Sequence, residues 1–276
     1  MKIAIGFFGI TRSLKYTINS IKVNLLDVLN DNNIDYDICL HTYNVHFRNF
    51  TNIRTGEGCG ANILDDNSID NEEYKLLNPK YFHIDDLDVI KEKLDLPKYR
   101  SQRDVYKNDY ATADNIVLAN YSKYILTNLI EKNEKEYDYV IYMRPDCEYL
   151  HKFNINNYLR DVNDNSIVIP DFSIHGMYYL PVKYRINDRL CIANMKSYKV
   201  YGNAFTKLLE LSKKYSLHSE TILGIILKDE KVKNVKKPIH FLRVRYDCRV
   251  AGLDVPLLKK YPEYVKSEHI KYYKTK

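Results

Sequence analysis

The chain has 276 residues, which is long enough for one large α/β domain, because a single hydrophobic core stops growing at roughly 250–300 residues. Apolar residues make up 45% and charged residues 28% of the chain, which excludes a disordered or fibrous protein. The net charge of +6 is spread along the chain without a Lys/Arg block, so it suits a small anionic ligand and argues against nucleic-acid binding.

The five cysteines indicate a reducing compartment, because their number is odd and no two of them form a C-x-x-C pair. Neither a disulfide framework nor a zinc site is expected. The apolar stretch over residues 3–10 is far shorter than the about 20 residues that a membrane span needs. No signal peptide pattern opens the chain, so we predict a cytoplasmic protein without a membrane span.

The first half of the chain alternates apolar runs with helical patterns, which is typical of a mostly parallel sheet. The sequence first predicts a strand over residues 2–8, a helix capped by Ser13 with apolar residues from 18 to 28, and a strand over 36–40 that ends at His41. A long exposed loop over 56–73 follows. After the loop, the sequence predicts a strand over 81–83, a helix over 87–94 and a long helix over 109–132 with one buried face. A strand over residues 138–143 then stops at Arg144-Pro145-Asp146, since proline removes a ladder donor.

The second half continues this alternation. In order, it predicts a strand over 166–169, a stretch rich in tyrosine that includes Tyr178, Tyr179 and Tyr184, a strand over 190–193, helices over 197–213 and 219–228, and a last strand over 240–245. No internal repeat or linker divides the chain. We therefore predict a single α/β domain over residues 1–276, in which helices flank a mostly parallel central sheet.

Polar residues follow three of the predicted strands, at residues 9–12, at His41 and at residues 144–146. Ligands of α/β sheets bind beyond the carboxyl ends of the strands. A carboxylate there can hold a divalent metal ion that bridges a diphosphate, and an arginine can pair with the same phosphates. The alternative is structural, with Asp146 shaping a turn and Arg144 paired to it.

Five motifs occur in a fixed order along the chain: Gly9-Ile10-Thr11-Arg12, Asn115 through Asn120-Tyr121-Ser122, Tyr137-Asp138 through Arg144-Pro145-Asp146, Asn187-Asp188 and His218-Ser219-Glu220. Together they resemble a family of glycosyltransferases found in bacterial surface-polysaccharide loci and large DNA viruses. The resemblance covers most of the chain and is poorest over residues 44–107 and after residue 250. It implies a GT-A-like fold and the transfer of a sugar from a nucleotide-sugar donor to a hydroxyl of a glycan acceptor, in the host cytoplasm if the source is viral.

The resemblance also divides the domain by role. It implies a nucleotide-sugar-binding half over residues 1–150 and an acceptor half over 151–250, followed by a basic tail over 251–276. The function expected of the whole is glycan biosynthesis.

In this family an R-x-D element stands where GT-A enzymes usually carry D-x-D, and Arg144 occupies the first acidic position. Asp146 is then the one expected metal ligand, for Mn²⁺ or Mg²⁺. Alternatively, Arg144, Arg243 and Arg245 neutralise the leaving diphosphate without a metal ion.

The remaining donor contacts are expected from the first half of the chain. Gly9 can let the backbone approach the nucleotide and Arg12 can reach a phosphate, although a plain strand-to-helix turn explains both residues equally well. Asn115 and Ser122 can contact donor hydroxyls or the base, or they can simply be solvated residues of a helix face.

The catalytic base of an inverting transfer is expected from the second half, with Glu220 preferred and Asp188 next. Each has a structural alternative, because a carboxylate is stabilised at a helix start and Asp188 can shape a turn with Asn187. His218 and Tyr184 are the predicted acceptor contacts, one through hydrogen bonding and one through stacking on a sugar face.

Two other classes of function are weighed against this one. The sequence argues against a dehydrogenase or methyltransferase, because Gly6-Phe7-Phe8-Gly9 lacks the G-x-G-x-x-G spacing and no Walker loop occurs. A non-catalytic nucleotide- or carbohydrate-binding protein that has kept the fold and lost the transfer reaction stays open, because the R-P-D element contains a single acid.

Overall fold

Nine strands are present in the computed structural model, which describes residues 1–46, 70–172, 186–246, 248 and 250–260. In chain order they are β1 (Lys2–Phe8), β2 (Asp35–Asn44), β3 (Tyr81–Asp86), β4 (Tyr139–Met143), β5 (Cys147–Tyr149), β6 (Ser166–Pro170), β7 (Leu190–Asn194), β8 (Lys233–Lys237) and β9 (Phe241–Arg243). All of them except β5 and β9 form one central sheet, and these two pair separately as an antiparallel ribbon.

The central sheet has the strand order β3-β2-β1-β4-β7-β6-β8. Of the described strands in this sheet, only β7 runs against its neighbours, β4 and β6, and the other pairs are parallel. The prediction of an α/β domain with a mostly parallel sheet is therefore confirmed. Because β7 runs the other way, its first residue lies where the parallel strands end, and Leu190 pairs with Met143.

Helices cover both faces of the sheet. In chain order they are α1 (Leu14–Ile21), α2 (Asp27–Asp31), α3 (Leu87–Leu94), α4 (Ala111–Glu131), α5 (Ile155–Arg160), α6 (Tyr198–Gly202), α7 (Phe205–Lys214), α8 (Ser219–Asp229) and α9 (Val255–Lys260), with 3-10 segments at Glu73–Leu77, Leu96–Tyr99, Glu134–Glu136 and Gly252–Asp254. A π-helical segment, Lys22–Leu26, joins α1 to α2. None of the helices seen in the described ranges is both long and apolar enough to cross a membrane.

The central strand β1 is buried on both faces, and its alternate residues pack against different layers. Ile3, Ile5 and Phe7 lie on the side of α1, whereas Ala4 and Phe8 lie on the side of α4. Burial of one such large side chain contributes roughly 1.5–3 kcal/mol. Burial on two sides also explains why the sequence shows an unbroken apolar run here.

The strand order reverses between β1 and β4. The chain passes from β1 to β2 on one side of β1, and it returns through α4 to β4 on the other side. In open α/β sheets the crevice at such a reversal, outside the carboxyl ends of the strands, is where nucleotides bind. The turns that follow β1 and β4 therefore flank the expected ligand position.

The helix predicted over residues 197–213 is in fact two helices, since α6 ends at Gly202 and α7 begins at Phe205. Gly202 packs against α4, and a Cβ added to it would lie 2.1 Å from Thr127 Oγ1. The helix stops directly after this contact, where Gly202 and Asn203 are both weak helix formers.

The strand predicted over residues 240–245 is also placed differently. Its middle part forms β9, which pairs with β5 in the ribbon rather than joining the central sheet. Strand β8 is missing from the sequence prediction because its sequence, K-N-V-K-K, contains one apolar residue. Such lysine-rich strands are typical of sheet edges, where charges prevent pairing with other chains.

Two residues predicted at the ends of elements take other positions. Ser13 makes no side-chain cap for α1. Its hydroxyl instead donates to the carbonyl of Val244 at 2.9 Å, because the C-terminal segment covers this helix end. His41 lies inside β2 rather than after it, since that strand extends to Asn44.

Several predictions fall outside the described residues. They concern residues 56–69 of the long loop, Tyr178, Tyr179 and Tyr184, and residues 261–276 of the basic tail. Glu73, the last residue of the predicted loop, is described, and it is buried at the start of the 3-10 segment Glu73–Leu77. The end of the loop is therefore predicted too late, because Glu73 belongs to this segment.

Candidate functional site

The turn after β1 and the turn after β4 lie side by side, because Phe7 pairs with Met143 at the ends of these strands. Gly9 has a φ of +96°, a left-handed conformation that other residues rarely adopt, and a Cβ built on it would meet no atom within 4 Å. Its N–H donates to the Ser122 hydroxyl of α4 at 2.8 Å. Two predicted donor contacts, Gly9 and Ser122, are thus in direct contact.

Arg144 and Asp146 form an ion pair within the turn after β4. Arg144 Nε donates to Asp146 Oδ1 at 2.8 Å, and a second guanidinium nitrogen reaches the other carboxylate oxygen. The turn is fixed by Thr17 Oγ1, which donates to the carbonyl of Pro145 at 2.6 Å, and by the N–H of Val244, which donates to the carbonyl of Asp146 at 2.8 Å. This pairing matches the structural alternative that the sequence leaves open.

Asp146 is 2% exposed and stands among arginines. Burial would raise the pKa of its carboxyl, but Arg144, together with Arg12 and Arg245, lowers that pKa well below its ordinary value. Burial lowers the pKa of Arg245 to about 9, and repulsion from Arg12 and Arg243 acts in the same direction. Three guanidinium groups thus act on one carboxylate, which creates a positive potential suited to an anion.

Arg243, a predicted donor contact, is held by a buried ion pair with Asp254. Its Nε and a terminal nitrogen donate to the two carboxylate oxygens at 3.0 and 2.8 Å, and its backbone N–H donates at 2.8 Å. The two residues are only 6% and 0% exposed. The geometry therefore gives Arg243 a structural role, and donor binding by its side chain stays a prediction.

The segment before β7 and the start of α8 bring a second charged cluster to the same edge. Arg189 donates to Glu220 Oε1 at 2.9 Å, and another of its nitrogens lies 3.0 Å from Asp188 Oδ1. Asp188 also accepts a hydrogen bond from the Ser219 hydroxyl, and His218 Nε2 lies 3.4 Å from Glu220 Oε2. The two predicted bases therefore flank an arginine that the sequence analysis does not single out.

The two clusters are electrostatically connected. Burial would raise the pKa of Asp188, but Arg189 lowers it, and the Ser219 hydroxyl, Lys123 and Arg144 act in the same direction. Asp188 is therefore ionised at neutral pH. Because Arg144 belongs to the turn after β4, a predicted base lies within electrostatic reach of the predicted donor centre.

Lys123 is a site residue that is absent from the sequence-based prediction. It is 2% exposed, and its ammonium lies 4.3 Å from the ring centre of Tyr201 and 5.7 Å from that of Phe8. Burial lowers its pKa to about 8, while Asp188 raises it. The sequence does contain a signal, because Lys123 stands in a buried stripe of α4 with spacings of four and three: Ile116, Asn120, Lys123, Thr127 and Ile130.

His41 belongs to a further polar group on β2 and β3. Its Nδ1 lies 2.7 Å from Ser122 Oγ and its Nε2 lies 3.1 Å from Asp85 Oδ2, while His83 Nε2 lies 3.1 Å from the other oxygen of Asp85. The ligand atoms of these two histidines and Asp85 lie within 4.8 Å of one another, so the group can hold a metal ion. The pattern His83-x-Asp85 is visible in the sequence, since alternate strand residues share a face, but the predicted strand ends at His83.

Among the residues that the structure describes, no other predicted site residue belongs to a group of three metal-ligating side chains. In the described part of the chain no second cluster of three metal-ligating side chains occurs, and both oxygens of Asp146 are bonded to Arg144. Metal binding by Asp146 stays a prediction. Asn115 is exposed on α4, and Tyr184 lies outside the described residues.

No family model matches the chain, and no curated protein sequence matches it. Among solved structures it is similar to mouse xyloside xylosyltransferase 1 in its apo form, with a TM-score of 0.44 and 10% identity over 86% of this chain and 85% of that one. It is also similar to the glycosyltransferase GlyE of Streptococcus pneumoniae TIGR4, with a TM-score of 0.42 and 11% identity over 86% of this chain and 46% of that one. The chain thus spans less than half of GlyE. Similarity at this level identifies neither a donor nor an acceptor.

Proposed function

We propose that this protein is a glycosyltransferase with a GT-A-like fold, which moves a sugar from a nucleotide-sugar donor to a hydroxyl of a glycan acceptor. One observation carries the proposal. The turns over residues 9–12 and 144–146 stand on either side of the point where the strand order reverses, and this is the nucleotide position in open α/β sheets. The five motifs that resemble those of glycosyltransferases from polysaccharide loci and DNA viruses support the same function.

The diphosphate of the donor fits the cluster around Asp146. Arg12, Arg144 and Arg245 act on this one carboxylate, and guanidinium groups bind phosphate oxygens through paired hydrogen bonds. An incoming diphosphate can replace Asp146 as the acceptor for Arg144. As the sugar leaves, negative charge grows on the diphosphate, and the same cations stabilise it. Gly9 leaves room for the nucleotide beside them.

The acceptor hydroxyl needs a base if the transfer inverts the configuration of the sugar, and we propose Glu220, or otherwise Asp188, for this role. Arg189 contacts both carboxylates and fixes their orientation. Glu220→Gln and Asp188→Asn preserve shape and remove the basic group. Loss of the base should lower turnover by about 10²–10⁴-fold with donor affinity little changed. Wild-type rates in both variants would exclude both residues.

A divalent cation is the expected cofactor only if Arg144 releases Asp146. In that case Mn²⁺ or Mg²⁺ would bind the carboxylate together with phosphate oxygens and water. If the arginines neutralise the diphosphate alone, no metal ion is needed there. Rigorous chelation with EDTA should abolish transfer in the first case and leave the rate unchanged in the second.

The remaining predicted donor and acceptor contacts are assigned by the positions of their residues in the chain and the fold. Ser122 holds the Gly9 turn, and we assign it, with Asn115 and Arg243, to the donor side. His218 lies beside Glu220, and we assign it, with Tyr184, to the acceptor. The cytoplasm is the proposed location, because the described cysteines are free and reduced thiols suit that compartment.

The decisive test is nucleotide binding by the full chain. Thermal unfolding is followed with UDP, GDP, CMP and dTDP sugars, with and without Mn²⁺, because a ligand that binds only the native state raises the melting temperature. We expect one nucleotide class to raise it and Arg245→Met to remove most of that rise. Arg160→Met is the control, since Arg160 is an exposed arginine at the end of α5 that contacts Asn157 and Asp161. The donor site is wrong if no nucleotide sugar shifts the wild type, or if Arg245→Met responds fully.

A non-catalytic nucleotide- or carbohydrate-binding protein is the second candidate. The ion pairs favour it, because Asp146 is saturated by Arg144 and both proposed bases contact Arg189. A binding protein would show the thermal shift but release no nucleotide from any donor in the panel. Nucleotide release at a rate that depends on Glu220 or Asp188 would instead identify the transferase.

A further inference from the structure

A group of two histidines and one aspartate lies on β2 and β3, apart from the arginine cluster. His41 and His83 are direct partners in the parallel pairing of these strands, and Asp85 follows His83 on the same face. No pairing between helices or loops is needed to bring the three side chains together. Neighbouring positions in a sheet are rigidly spaced, so the group is preformed by the backbone.

The distances in this group suit a small metal ion. His41 Nε2 lies 3.1 Å from Oδ2 of Asp85, and His83 Nε2 lies 3.1 Å from Oδ1 of the same carboxylate. The ligand atoms of the three residues lie within 4.8 Å of one another. Bonds of about 2.0–2.2 Å to a tetrahedral zinc ion place neighbouring ligand atoms roughly 3.3 Å apart. Small side-chain rotations therefore close the group around an ion.

The hydrogen bonds around His41 also fit a metal ligand. Its Nδ1 lies 2.7 Å from Ser122 Oγ, and that hydroxyl lies 3.3 Å from the carbonyl of His41 and accepts from the N–H of Gly9. With a metal ion on Nε2, Nδ1 carries the proton and donates to Ser122, whose own hydrogen goes to the carbonyl. Metal-bound histidines usually donate their second N–H to such a partner, which fixes the ring.

We propose that His41, His83 and Asp85 bind one divalent transition-metal ion of the zinc type. Two imidazoles and a carboxylate favour such an ion over Mg²⁺ or Mn²⁺, which prefer oxygen ligands. The side chain of His41 is 0% exposed, whereas that of His83 is 52% exposed, so the ion enters from the side of His83 and keeps a water ligand there. None of its ligands belongs to the arginine cluster, although His41 contacts Ser122, which holds the Gly9 turn of the proposed donor site.

The test uses tag-free full-length protein stripped of metal, without any nucleotide. Co²⁺ is added stepwise while its visible absorption is recorded, and Zn²⁺ binding is measured by calorimetry. We expect one ion per chain and a cobalt spectrum typical of four ligands. His83→Ala removes a direct ligand and should weaken binding by more than the roughly 10–100-fold that loss of an outer-shell partner costs, and Asp85→Asn should weaken it as well.

His46→Ala is the matched control, because His46 is also an exposed histidine that contacts an aspartate, with its Nε2 2.7 Å from Asp86 Oδ2. It should bind the metal as the wild type does. The circular dichroism spectrum of each variant confirms folding before titration. The site is refuted if the wild type does not bind a single ion, if His83→Ala binds like the wild type, or if His46→Ala loses as much affinity.

Discussion

At the scale of single residues, Lys123 brings a charge into the interior of the protein. Cation–π contacts with Tyr201 and Phe8, worth roughly 0.5–2 kcal/mol each, offset part of the cost, and Asp188 attracts the ammonium. The lowered pKa of about 8 shows that the offset is incomplete. A lysine that reduces stability and lies beside site residues fits a role in ligand binding.

We predict that Lys123→Met stabilises the fold at neutral pH. The lysine pKa falls from its ordinary 10.5 to about 8 in the folded chain, so the unfolded chain binds more protons between these values. Wild-type stability therefore rises as the pH rises from about 8 to 10.5. Below about pH 8 the full free-energy cost of burying the charged ammonium is present. The penalty is about 3 kcal/mol for a shift of this size, and this is the upper limit of the gain at pH 7.

Urea unfolding at a series of pH values measures this effect. The gain of Lys123→Met should shrink as the pH approaches about 10. Lys132→Met, which changes an exposed lysine just after the same helix, should show no such gain. Equal stability of Lys123→Met and the wild type at pH 7 would show that burying the charged ammonium of Lys123 does not reduce the stability of the fold.

A second residue-scale prediction concerns Asp254. Asp254→Asn leaves the buried guanidinium of Arg243 without its counterion, and breaking a buried ion pair from one side costs about 3–5 kcal/mol. Asp161→Asn breaks partly exposed pairs with Lys237 and Arg160 and should cost far less, because solvent screens these charges. Chemical denaturation of both variants tests the contrast, and similar losses would show that the buried pair is no stronger than a surface pair.

At the scale of elements, two glycines control how helices meet the sheet. Gly202 lets α6 lie against α4 and β4, since a Cβ there would lie 2.1 Å from Thr127 Oγ1 and 2.5 Å from the hydroxyl of Tyr142. Gly9 has open space around it, so a side chain would fit there. A glycine is needed at this position because its φ is +96°. One glycine is therefore needed for packing and the other for the path of the chain.

The two glycines should respond differently to substitution by alanine. Gly202→Ala overpacks the contact with α4 and should cost about 1–3 kcal/mol of stability without affecting nucleotide binding by the folded fraction. Gly9→Ala should cost about 1–2 kcal/mol and also weaken nucleotide binding, because the strained turn moves. Melting temperatures with and without nucleotide separate the two effects. A full nucleotide response in Gly9→Ala would remove this turn from the donor site.

Elements with a long or strong periodic pattern can be predicted from the sequence, and weakly patterned ones cannot. β1, α4 and α8 are found where their apolar spacing predicts them. β5, β8 and α5 are absent from the prediction, because three to six residues with mixed polarity carry little periodic signal. The break after Gly202 depends on contacts with another helix, which local propensity does not contain.

At the scale of the whole molecule, the site is assembled from distant parts of the chain. The motifs at strand ends and helix starts can be located from the sequence, because topology brings carboxyl ends to one edge. Their partners cannot, since Arg189 and Asp254 are identified only by contacts across the fold. The same holds for Asp85, which meets His41 through the pairing of β2 with β3.

The concentration of arginines at one edge predicts a salt-dependent affinity. Raising the ionic strength from about 0.05 to 0.5 M shortens the Debye length to a few Å, so binding of a nucleoside diphosphate should weaken several-fold. The uncharged nucleoside should bind with the same affinity at both salt concentrations. Calorimetric titration of both ligands provides the measurement, and an equal salt response would place the phosphates away from Arg12, Arg144 and Arg245.

The ribbon of β5 and β9 determines when the site can exist during synthesis. β5 follows Asp146 directly, yet its partner strand comes far later in the chain, and the N–H of Val244 bonds the carbonyl of Asp146. A nascent chain can pair β1 with β2 and β4 early, and Thr17 can then bind the turn, but the bond from Val244 forms only after β9 and Asp254, which neutralises Arg243, have left the ribosome. Ligand binding should therefore be among the last properties that a growing chain acquires.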